Sequence, residues 1–278
     1  MKVLILGATG LLGKALVREW SGDEVLAMGS QDVDIRDAAR VRDLVRSSRP
    51  EWVVLAAAYT DVDGCESHRD LAFAVNRDGA VKVAEAASQS GARLIFLSSD
   101  YVFDGTKTSP YEVDDRRNPQ SVYGRSKAEA ETKLLEIVPD CSIARTSWVF
   151  GVGGRCFPDT ILRAASNRST LDVVNDQRGC PTYTVDLARA VIQLCRNNAR
   201  GIVHVTNSGA CSWFEFAQAI IAQAGFSTEV RPASSQQMAR PAPRPAYSVL
   251  SATSLDRYGI EMPGWKDALS RYLEERRS

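Results

Sequence analysis

The sequence is poor in the features that mark membrane, disulfide-stabilised and metal-binding proteins. None of its apolar runs approaches the roughly 18 to 20 residues that a membrane-spanning helix needs. Its six cysteines lie at positions 65, 141, 156, 180, 195 and 211, without CxxC or Cys/His metal spacing. We therefore expect reduced thiols and no metal site. The first residues form a buried-strand pattern with no cleavage site behind it, which predicts a cytoplasmic protein.

The chain also lacks an excess of charge of either sign. Its 34 Lys and Arg residues balance 34 Asp and Glu residues, and no face is obviously basic. Composition therefore gives no electrostatic reason to expect a nucleic-acid or membrane partner. Hydrophobic residues make up 44% and charged residues 24%, as is usual for a soluble globular protein. We expect the partner to be a small molecule and the chain to be a monomer or a homodimer.

The first 150 residues alternate short apolar runs with amphipathic segments. This βαβα pattern predicts an α/β fold with a doubly wound parallel sheet of the Rossmann type and right-handed crossovers. Beyond Phe150 the elements are shorter, and no long linker separates them. We expect a dinucleotide-binding domain over residues 1–150, rejoined by about residues 176–200, and a smaller, interleaved α/β substrate-binding region over residues 151–278.

A glycine-rich turn joins the first apolar run, Val3–Leu6, to a helix predicted to end near Trp20. Glycines in such a turn allow the backbone to bend tightly and to approach a ligand closely, and the helix N-terminus that follows binds a pyrophosphate. The alternative is a plain tight turn. We expect a dinucleotide to contact Gly7, Thr9, Gly10, Leu11, Leu12 and Gly13.

The turn after the second predicted strand, Glu24–Met28, leaves the choice of nicotinamide open. An acid in this turn would bind the ribose of NAD, and an arginine would bind the 2′-phosphate of NADP. The residues present are Gly29, Ser30 and Gln31. Both NADH and NADPH are therefore compatible with this turn.

Residues that follow the third and fourth predicted strands come to one edge of the sheet, where ligands bind. Ala56–Ala58 are small enough for a cofactor to lie against the backbone, and they also suit tight sheet packing. Ser98–Tyr101 bring polar side chains to the same edge. The long polar loop that runs on to about Pro119 is a candidate substrate loop.

Tyr123 and Lys127 are four residues apart on a predicted helix. They therefore share one face, where an ammonium stabilises a phenolate. Such a tyrosine is a proton donor near neutral pH. The pair is common enough by chance that it indicates a site only together with the glycine turn and the polar edge.

A proline-rich segment and two histidines complete the candidate residues. Residues 240–248 carry Arg240 and Arg244 among three prolines, so they either present two guanidinium groups to a diphosphate or form a solvated, stiffened loop. His68, at a helix start, is expected on the surface. His204 alternates with valines and is expected in the core.

Several motifs extend across nearly the whole chain and resemble one family. The glycine turn has GxxGxxG spacing, which is similar to the extended branch of the short-chain dehydrogenase/reductase superfamily. The chain as a whole resembles the dTDP-4-dehydrorhamnose reductase family, which reduces a 4-keto-6-deoxyhexose on a dTDP carrier and leans towards NADPH. The matching segments are residues 56–60, 99–105, 145–149, 176–182 and 244–250.

The resemblance implies roles for individual residues. Ser99 would polarise the ketone, Tyr123 would be the general acid, and Lys127 would lower the pKa of Tyr123 and hydrogen-bond the nicotinamide ribose. Other implied contacts are Asp34 and Ile35 with the adenine, Ala56, Ala57, Ala58 and Ser98 with the cofactor, Val62, Tyr101 and Trp148 with the sugar, and Arg244 with the diphosphate.

Asp34 and Asn76 also have structural interpretations, and Cys156 departs from the family pattern. Asp34 alternatively caps a helix predicted near residues 36–46. Asn76, which interrupts an apolar stripe, either braces the active-site backbone, as in the superfamily, or bridges helix and sheet. Cys156 stands where many relatives have Asn, which leaves the identity of the sugar open.

Three other functions are weighed against ketone reduction. A 4,6-dehydratase needs a second carboxylate after Asp100, where this chain has Tyr101. A 4-epimerase usually has an acid after the second strand to retain NAD, and this chain has none there. A non-catalytic NADP-binding subunit, resembling the regulatory partner of methionine adenosyltransferase, is disfavoured by the intact Ser99, Tyr123 and Lys127.

Overall fold

The computed structural model describes residues 1–277. The strands are β1 Lys2–Leu6, β2 Glu24–Met28, β3 Trp52–Leu55, β4 Arg93–Ser99, β5 Ser142–Thr146, β6 Val149–Phe150, β7 Thr170–Val174, β8 Arg178–Gly179, β9 Thr182–Tyr183, β10 Gly201–His204, β11 Cys211–Ser212 and β12 Glu229–Ala233. The helices are α1 Leu11–Glu19, α2 Ala38–Ser48, α3 Val62–Ser67, α4 Arg69–Phe73, α5 Ala80–Ser90, α6 Val122–Ile137, α7 Phe157–Ala165, α8 Thr184–Arg196, α9 Trp213–Ala224 and α10 Trp265–Glu275. A π-helical turn spans Ala74–Gly79, and 3₁₀ turns span Asp100–Val102 and Thr253–Tyr258.

The main sheet has six parallel strands in the order β10-β5-β4-β3-β1-β2. The chain runs outwards from β1 to β2 and then returns to the other side of β1 with β3. A crevice opens beyond the carboxyl ends of the strands where the order reverses, and ligands bind there in such sheets. This topology confirms the predicted Rossmann-type fold.

Helices cover both faces of this sheet, because its central strands are apolar on both sides. The residues of β1 from Val3 to Leu6 are fully buried. One core packs α1 and α8 against the sheet, and the opposite core packs α2, α5 and α6 against it.

The C-terminal part of the chain builds a third core and also returns to the main sheet. The third core is centred on aromatic side chains such as Phe150, Phe216 and Tyr272. Short strand pairs border it: β6 with β9, β8 with β11, and β7 with β12. Between these elements, α8 packs on α1 and β10 pairs with β5. Where a domain boundary falls along the chain stays a prediction.

The segment from Ser67 to Ser90, which carries the apolar stripe that Asn76 interrupts, is not one continuous helix. It contains α4, the π-helical turn Ala74–Gly79 and α5. A π turn holds one more residue than an α turn and occurs often at functional sites. Here it contains Asn76, which is 1% exposed.

Three observations bear on the classes of protein considered from composition. Across residues 1–277, no helix has the length and apolarity to cross a bilayer. The same residues contain no group of three His, Cys, Asp or Glu side chains arranged to hold a metal ion. All six cysteines are buried free thiols, as predicted.

Candidate active site

The three residues expected to act on the ketone lie together at the carboxyl edge of the sheet. Ser99 is the last residue of β4, and Tyr123 and Lys127 lie on α6, which packs against β4. The Ser99 hydroxyl donates to Asp100 Oδ1 at 2.9 Å and accepts from the Tyr101 amide at 3.2 Å. The Tyr101 ring meets the Tyr123 ring edge-on, with centroids 5.9 Å apart.

The first turn of α6 is fixed by two side chains, which orients Tyr123. Ser121 is the N-cap, and its hydroxyl accepts from the Gly124 amide at 3.1 Å. Glu66 of α3 accepts from the Val122 amide at 2.7 Å. Satisfying these free amides stabilises the helix start, and the carboxylate of Glu66 also complements the positive end of the helix dipole.

Asn76 connects the site to the π-helical turn. Its side chain accepts from the Tyr59 amide at 2.8 Å and donates to the Tyr59 carbonyl at 3.0 Å. It also donates to Ser126 Oγ at 3.0 Å, and Ser126 in turn donates to the Tyr123 carbonyl at 2.7 Å. Asn76 therefore braces both the loop after β3 and the helix that carries Tyr123.

Burial determines the acid–base properties of Tyr123 and Lys127. It raises the pKa of the Tyr123 phenol, while the neighbouring Ser99 hydroxyl acts to lower it. Burial also lowers the pKa of Lys127 to about 7. The Lys127 ammonium donates to the Leu97 carbonyl at 2.6 Å and lies 3.9 Å from the Phe96 ring centroid. The lowering of the Tyr123 pKa by Lys127 stays a prediction.

The glycine turn has the geometry that a pyrophosphate needs. Gly7 has φ +93°, and a Cβ there would lie 2.5 Å from the Ala57 amide nitrogen. A Cβ on Gly13 would collide with the Gly7 carbonyl oxygen. The N-cap of α1, Gly10, has no side chain to bond the first amides of the helix, so the amides of Leu11 and Leu12 face an open end. These residues fit a dinucleotide.

Three side chains predicted to contact the cofactor have other partners. Asp34 accepts from the amide and guanidinium of Arg36, the latter at 2.6 Å, and Ile35 is 5% exposed in the core. The Ser98 hydroxyl donates to buried Glu131 at 2.5 Å. Their contacts with the cofactor stay predictions. The capping role considered for Asp34 is wrong, because Asp37 caps α2.

The loop after β3 carries the remaining predicted contacts on the cofactor side. Ala56–Ala58 follow β3 directly, and the Ala56 amide donates to the Leu6 carbonyl at 2.9 Å, which ties this loop to the glycine turn. Val62 is the first residue of α3, after the N-cap Asp61. Thr9 lies against Gly29, the turn residue after β2.

A cavity of about 740 Å³, with Tyr101 in its wall, lies between the proline-rich segment and the C-terminal elements. Its walls include Tyr101, Phe157, Gln177, Trp213, Arg240 and Arg244. Arg244 donates to Asp63 Oδ1 at 2.5 Å and to the Ala242 carbonyl at 2.7 Å. Arg240 donates to the other Asp63 oxygen at 3.2 Å. The two guanidinium groups thus line the cavity but share one carboxylate.

The Trp148 ring is partly covered by its neighbours. It stacks on Trp213 with centroids 3.4 Å apart and planes 5° from parallel. A Cβ on Gly179 would lie 2.5 Å from the Trp148 ring. Phe157 continues the stack beyond Trp213, with centroids 4.5 Å apart. Trp213 covers one face of the Trp148 ring, and the packing of Trp148 on the apolar face of a sugar stays a prediction.

Cys156 and the two histidines lie away from the ligand surfaces. The Cys156 thiol is buried near Asp159 and Tyr272. His68 is exposed, and His204 is 1% exposed, with its Nε2 3.4 Å from Arg145. Burial lowers the pKa of His204 to about 3. Both histidines lie where the sequence predicted.

Sequence reasoning missed Asp63, Glu131 and Trp213. Glu131 follows Lys127 by four residues and so shares the face of α6 that carries Tyr123 and Lys127, a signal that was present in the spacing. Asp63 and Trp213 gave no such signal, because their partners are far away in the sequence: Arg244 for Asp63 and Trp148 for Trp213.

The parallel sheet, the glycine turn and the grouping of Ser99, Tyr123 and Lys127 define an extended short-chain dehydrogenase/reductase. The chain belongs to the family described as the RmlD substrate binding domain, whose model matches residues 1–278.

Characterised relatives cover almost the whole chain. It is 43% identical to the spore coat polysaccharide biosynthesis protein SpsK of Bacillus subtilis, over 100% of this chain and 98% of that protein. It is 40% identical to the dTDP-4-dehydrorhamnose reductase of Mycobacterium tuberculosis, over 98% of this chain and 92% of that protein. The crystal structure of dTDP-4-dehydrorhamnose reductase from Bacillus anthracis, in complex with NADP, superposes with a TM-score of 0.96 at 37% identity, covering 99% and 100% of the two chains.

Proposed function

We propose that this chain reduces the 4-keto group of a dTDP-4-keto-6-deoxyhexose with NADPH, converting dTDP-4-dehydrorhamnose to dTDP-rhamnose for cell-surface polysaccharide precursors. NADH is the alternative reductant. The observation that carries the proposal is that Ser99, Tyr123 and Lys127 lie together at the carboxyl edge of the sheet, and that Tyr101, which contacts Tyr123, lies in the wall of a cavity of about 740 Å³. That volume lies within the range of small-molecule sites. The names of the relatives and the NADP in the Bacillus anthracis structure support it.

Tyr123 gives its proton to the C4 oxygen of the sugar, and Ser99 donates a hydrogen bond to the same oxygen. The bound nicotinamide supplies the hydride. Burial raises the pKa of Tyr123, which keeps the phenol protonated until charge develops on the substrate oxygen. Hydrogen bonds aimed at that oxygen stabilise the charge as it forms. Lys127 hydrogen-bonds the nicotinamide ribose.

Other residues of the chain hold the cofactor and the nucleotide sugar on either side of Ser99, Tyr123 and Lys127. Gly7, Gly10 and the first amides of α1 hold the pyrophosphate, and Ala56–Ala58 let the cofactor lie against the backbone. Tyr101 and Val62 contact the sugar. Residues 151–278 form the substrate-binding region, and Arg244 meets the diphosphate. The protein works in the cytoplasm as a monomer or homodimer.

The decisive measurement is the loss of nicotinamide absorbance when a 4-keto-6-deoxyhexose nucleotide is added to the protein with NADPH. We expect one NADPH oxidised for each ketone reduced. Tyr123→Phe should lower turnover by about 100-fold or more, because the proton donor is lost, with NADPH binding intact. Tyr258→Phe, in a distant 3₁₀ turn, is the matched control and should retain activity. Binding of NADPH without turnover of any such sugar would overturn the proposal.

A further inference from the structure

Glu131 is a fully buried carboxylate behind the proposed catalytic group. It lies on α6, one turn beyond Lys127 and on the same face. Its oxygens accept four hydrogen bonds: from Ser98 Oγ at 2.5 Å, Arg145 Nε at 2.9 Å, Arg145 Nη2 at 2.7 Å and Arg117 Nη1 at 3.1 Å. An ionised carboxylate has about four lone-pair positions. All four partners are donors, so the geometry is that of the anion.

The partners of Glu131 come from separate elements around the site. Ser98 precedes Ser99 on β4, Arg145 lies on β5, and Arg117 lies in the loop before α6. The Arg145 pair is two-pronged and almost wholly buried, with side-chain exposures of 1% and 0%. Glu131 therefore fixes α6 against the sheet edge at the level of Lys127.

Lys127 occupies a site that disfavours its charge. It is 1% exposed and touches the Phe96 ring and the Leu97 carbonyl. A buried ammonium loses its proton near neutral pH unless an anion compensates. The elements packed against α6 are α3, α4, α5, β4 and the turns Ala74–Gly79 and Asp100–Val102. Besides Lys127, the buried ionisable side chains on α6 and on these elements are Glu131, Cys65 and Asp100, and Arg145 is buried on β5; Tyr101, Tyr123 and the other charged side chains there are partly or fully exposed. Burial lowers the pKa of Lys127 to about 7, and the charge of Glu131 acts in the opposite direction.

We propose that Glu131 is a positioning residue that keeps Lys127 charged and thereby sets the pH range over which the chain binds its nicotinamide cofactor. The inference rests on the proposed function, because it takes Lys127 as the ligand of the cofactor ribose. A purely structural Glu131 would affect cofactor binding equally at every pH. A Glu131 that acts through its charge affects cofactor binding only at pH values at which Lys127 would otherwise lose its proton.

The experiment measures the NADPH dissociation constant by fluorescence from about pH 5.5 to about pH 8.5 and takes the ratio of variant to unaltered protein. The ratio cancels the titration of the cofactor's own phosphates. For Glu131→Gln we expect a ratio near one at the acid end that rises to about tenfold at the alkaline end, as a one-unit fall in the Lys127 pKa requires. Glu131→Asp keeps the charge, so its ratio should vary little with pH.

A ratio for Glu131→Gln that is constant across this range would overturn the inference. If Glu131→Gln does not fold, Arg117→Met decides, because it removes a cation from Glu131 at a side chain that is 29% exposed. For Arg117→Met, the ratio of the NADPH dissociation constants should fall below one at the alkaline end only. A ratio that stays at one across the pH range would overturn the inference. Failure of the unaltered chain to bind NADPH at any pH would instead overturn the proposed function, and this inference with it.

Discussion

Asp100 lies beside the proposed proton donor in a strongly desolvated position. Its side chain is 2% exposed, and within the described residues its Oδ2 atom has no hydrogen-bond partner. Burial raises the pKa of Asp100 to about 7, although the Ser248 and Ser99 hydroxyls act to lower it. Between the ordinary value of 3.8 and this value, the folded chain holds a proton that the unfolded chain has lost. The free energy of unfolding therefore falls as pH rises through that window.

Replacing Asp100 by Asn should remove this penalty. Asp100→Asn keeps the shape without the charge, so its gain in unfolding free energy should be about 2 kcal/mol larger at about pH 8 than at about pH 5. Urea unfolding at the two pH values measures the difference.

Asp104→Asn is the control of opposite sign for this prediction. Asp104 accepts hydrogen bonds from Thr106, Tyr111 and Asn118, which hold its pKa below the usual range despite partial burial. Its contribution to stability is present above the ordinary pKa and is lost as pH falls, so Asp104→Asn should destabilise the chain at about pH 8. If Asp100→Asn raised the free energy of unfolding equally at both pH values, the raised pKa of Asp100 would be contradicted.

The proline-rich segment, residues 240–248, is held over the cavity by the first turn of α3. Asp63 accepts from Arg240, from the Ala242 amide at 3.1 Å and from Arg244. The Arg244 guanidinium holds the pKa of Asp63 near 2, so the carboxylate stays charged at neutral pH. Asp63 thus orders the segment but offsets the positive charge that a diphosphate would meet.

Removing the charge of Asp63 should strengthen nucleotide binding. Asp63→Asn retains an oxygen for the Ala242 amide and leaves Arg240 and Arg244 without a competing anion. We expect the dTDP dissociation constant to fall roughly three- to tenfold, with a steeper dependence on salt. Calorimetry at low and high salt tests this, and Asp43→Asn on α2 is the exposed control. Weaker dTDP binding by Asp63→Asn would show that order in the segment outweighs charge.

The final helix, α10, ties the C-terminal core to a helix of the main sheet. Arg271 of α10 donates to both oxygens of Asp186 on α8, at 2.8 Å and 2.7 Å. Asp186 is nearly buried, with a side-chain exposure of 3%. Because α8 packs on α1, this ion pair couples the two halves of the chain. They should therefore unfold together.

Arg271→Met should lower the free energy of unfolding by about 2 kcal/mol, because it leaves a buried carboxylate with Asn207 as its remaining side-chain partner. The matched control is Arg231→Met, whose partner Glu229 is exposed, and it should change stability by less than about 0.5 kcal/mol. Urea unfolding followed by tryptophan fluorescence measures both. Equal effects in the two variants would argue against a coupling role for α10.

The features predicted correctly from sequence depend on neighbouring residues. A continuous apolar run predicts β1, and glycines predict the turn at Gly7. The site residues that the sequence did not reveal depend on distant ones. Trp148 is covered by Trp213, which is 65 positions later in a different element. Such contacts are set by how the elements pack, and no local spacing encodes them.

The stacked rings of Trp148 and Trp213 have an optical consequence. Two indoles held 3.4 Å apart and nearly parallel couple their electronic transitions, so they absorb and emit as a pair. Trp213 is also part of the cavity wall. A molecule that enters the cavity and parts the rings would restore two separate chromophores. Because Trp213 lies in the cavity wall, we expect a ligand that fills the cavity to change the tryptophan emission, which a fluorescence titration with dTDP measures.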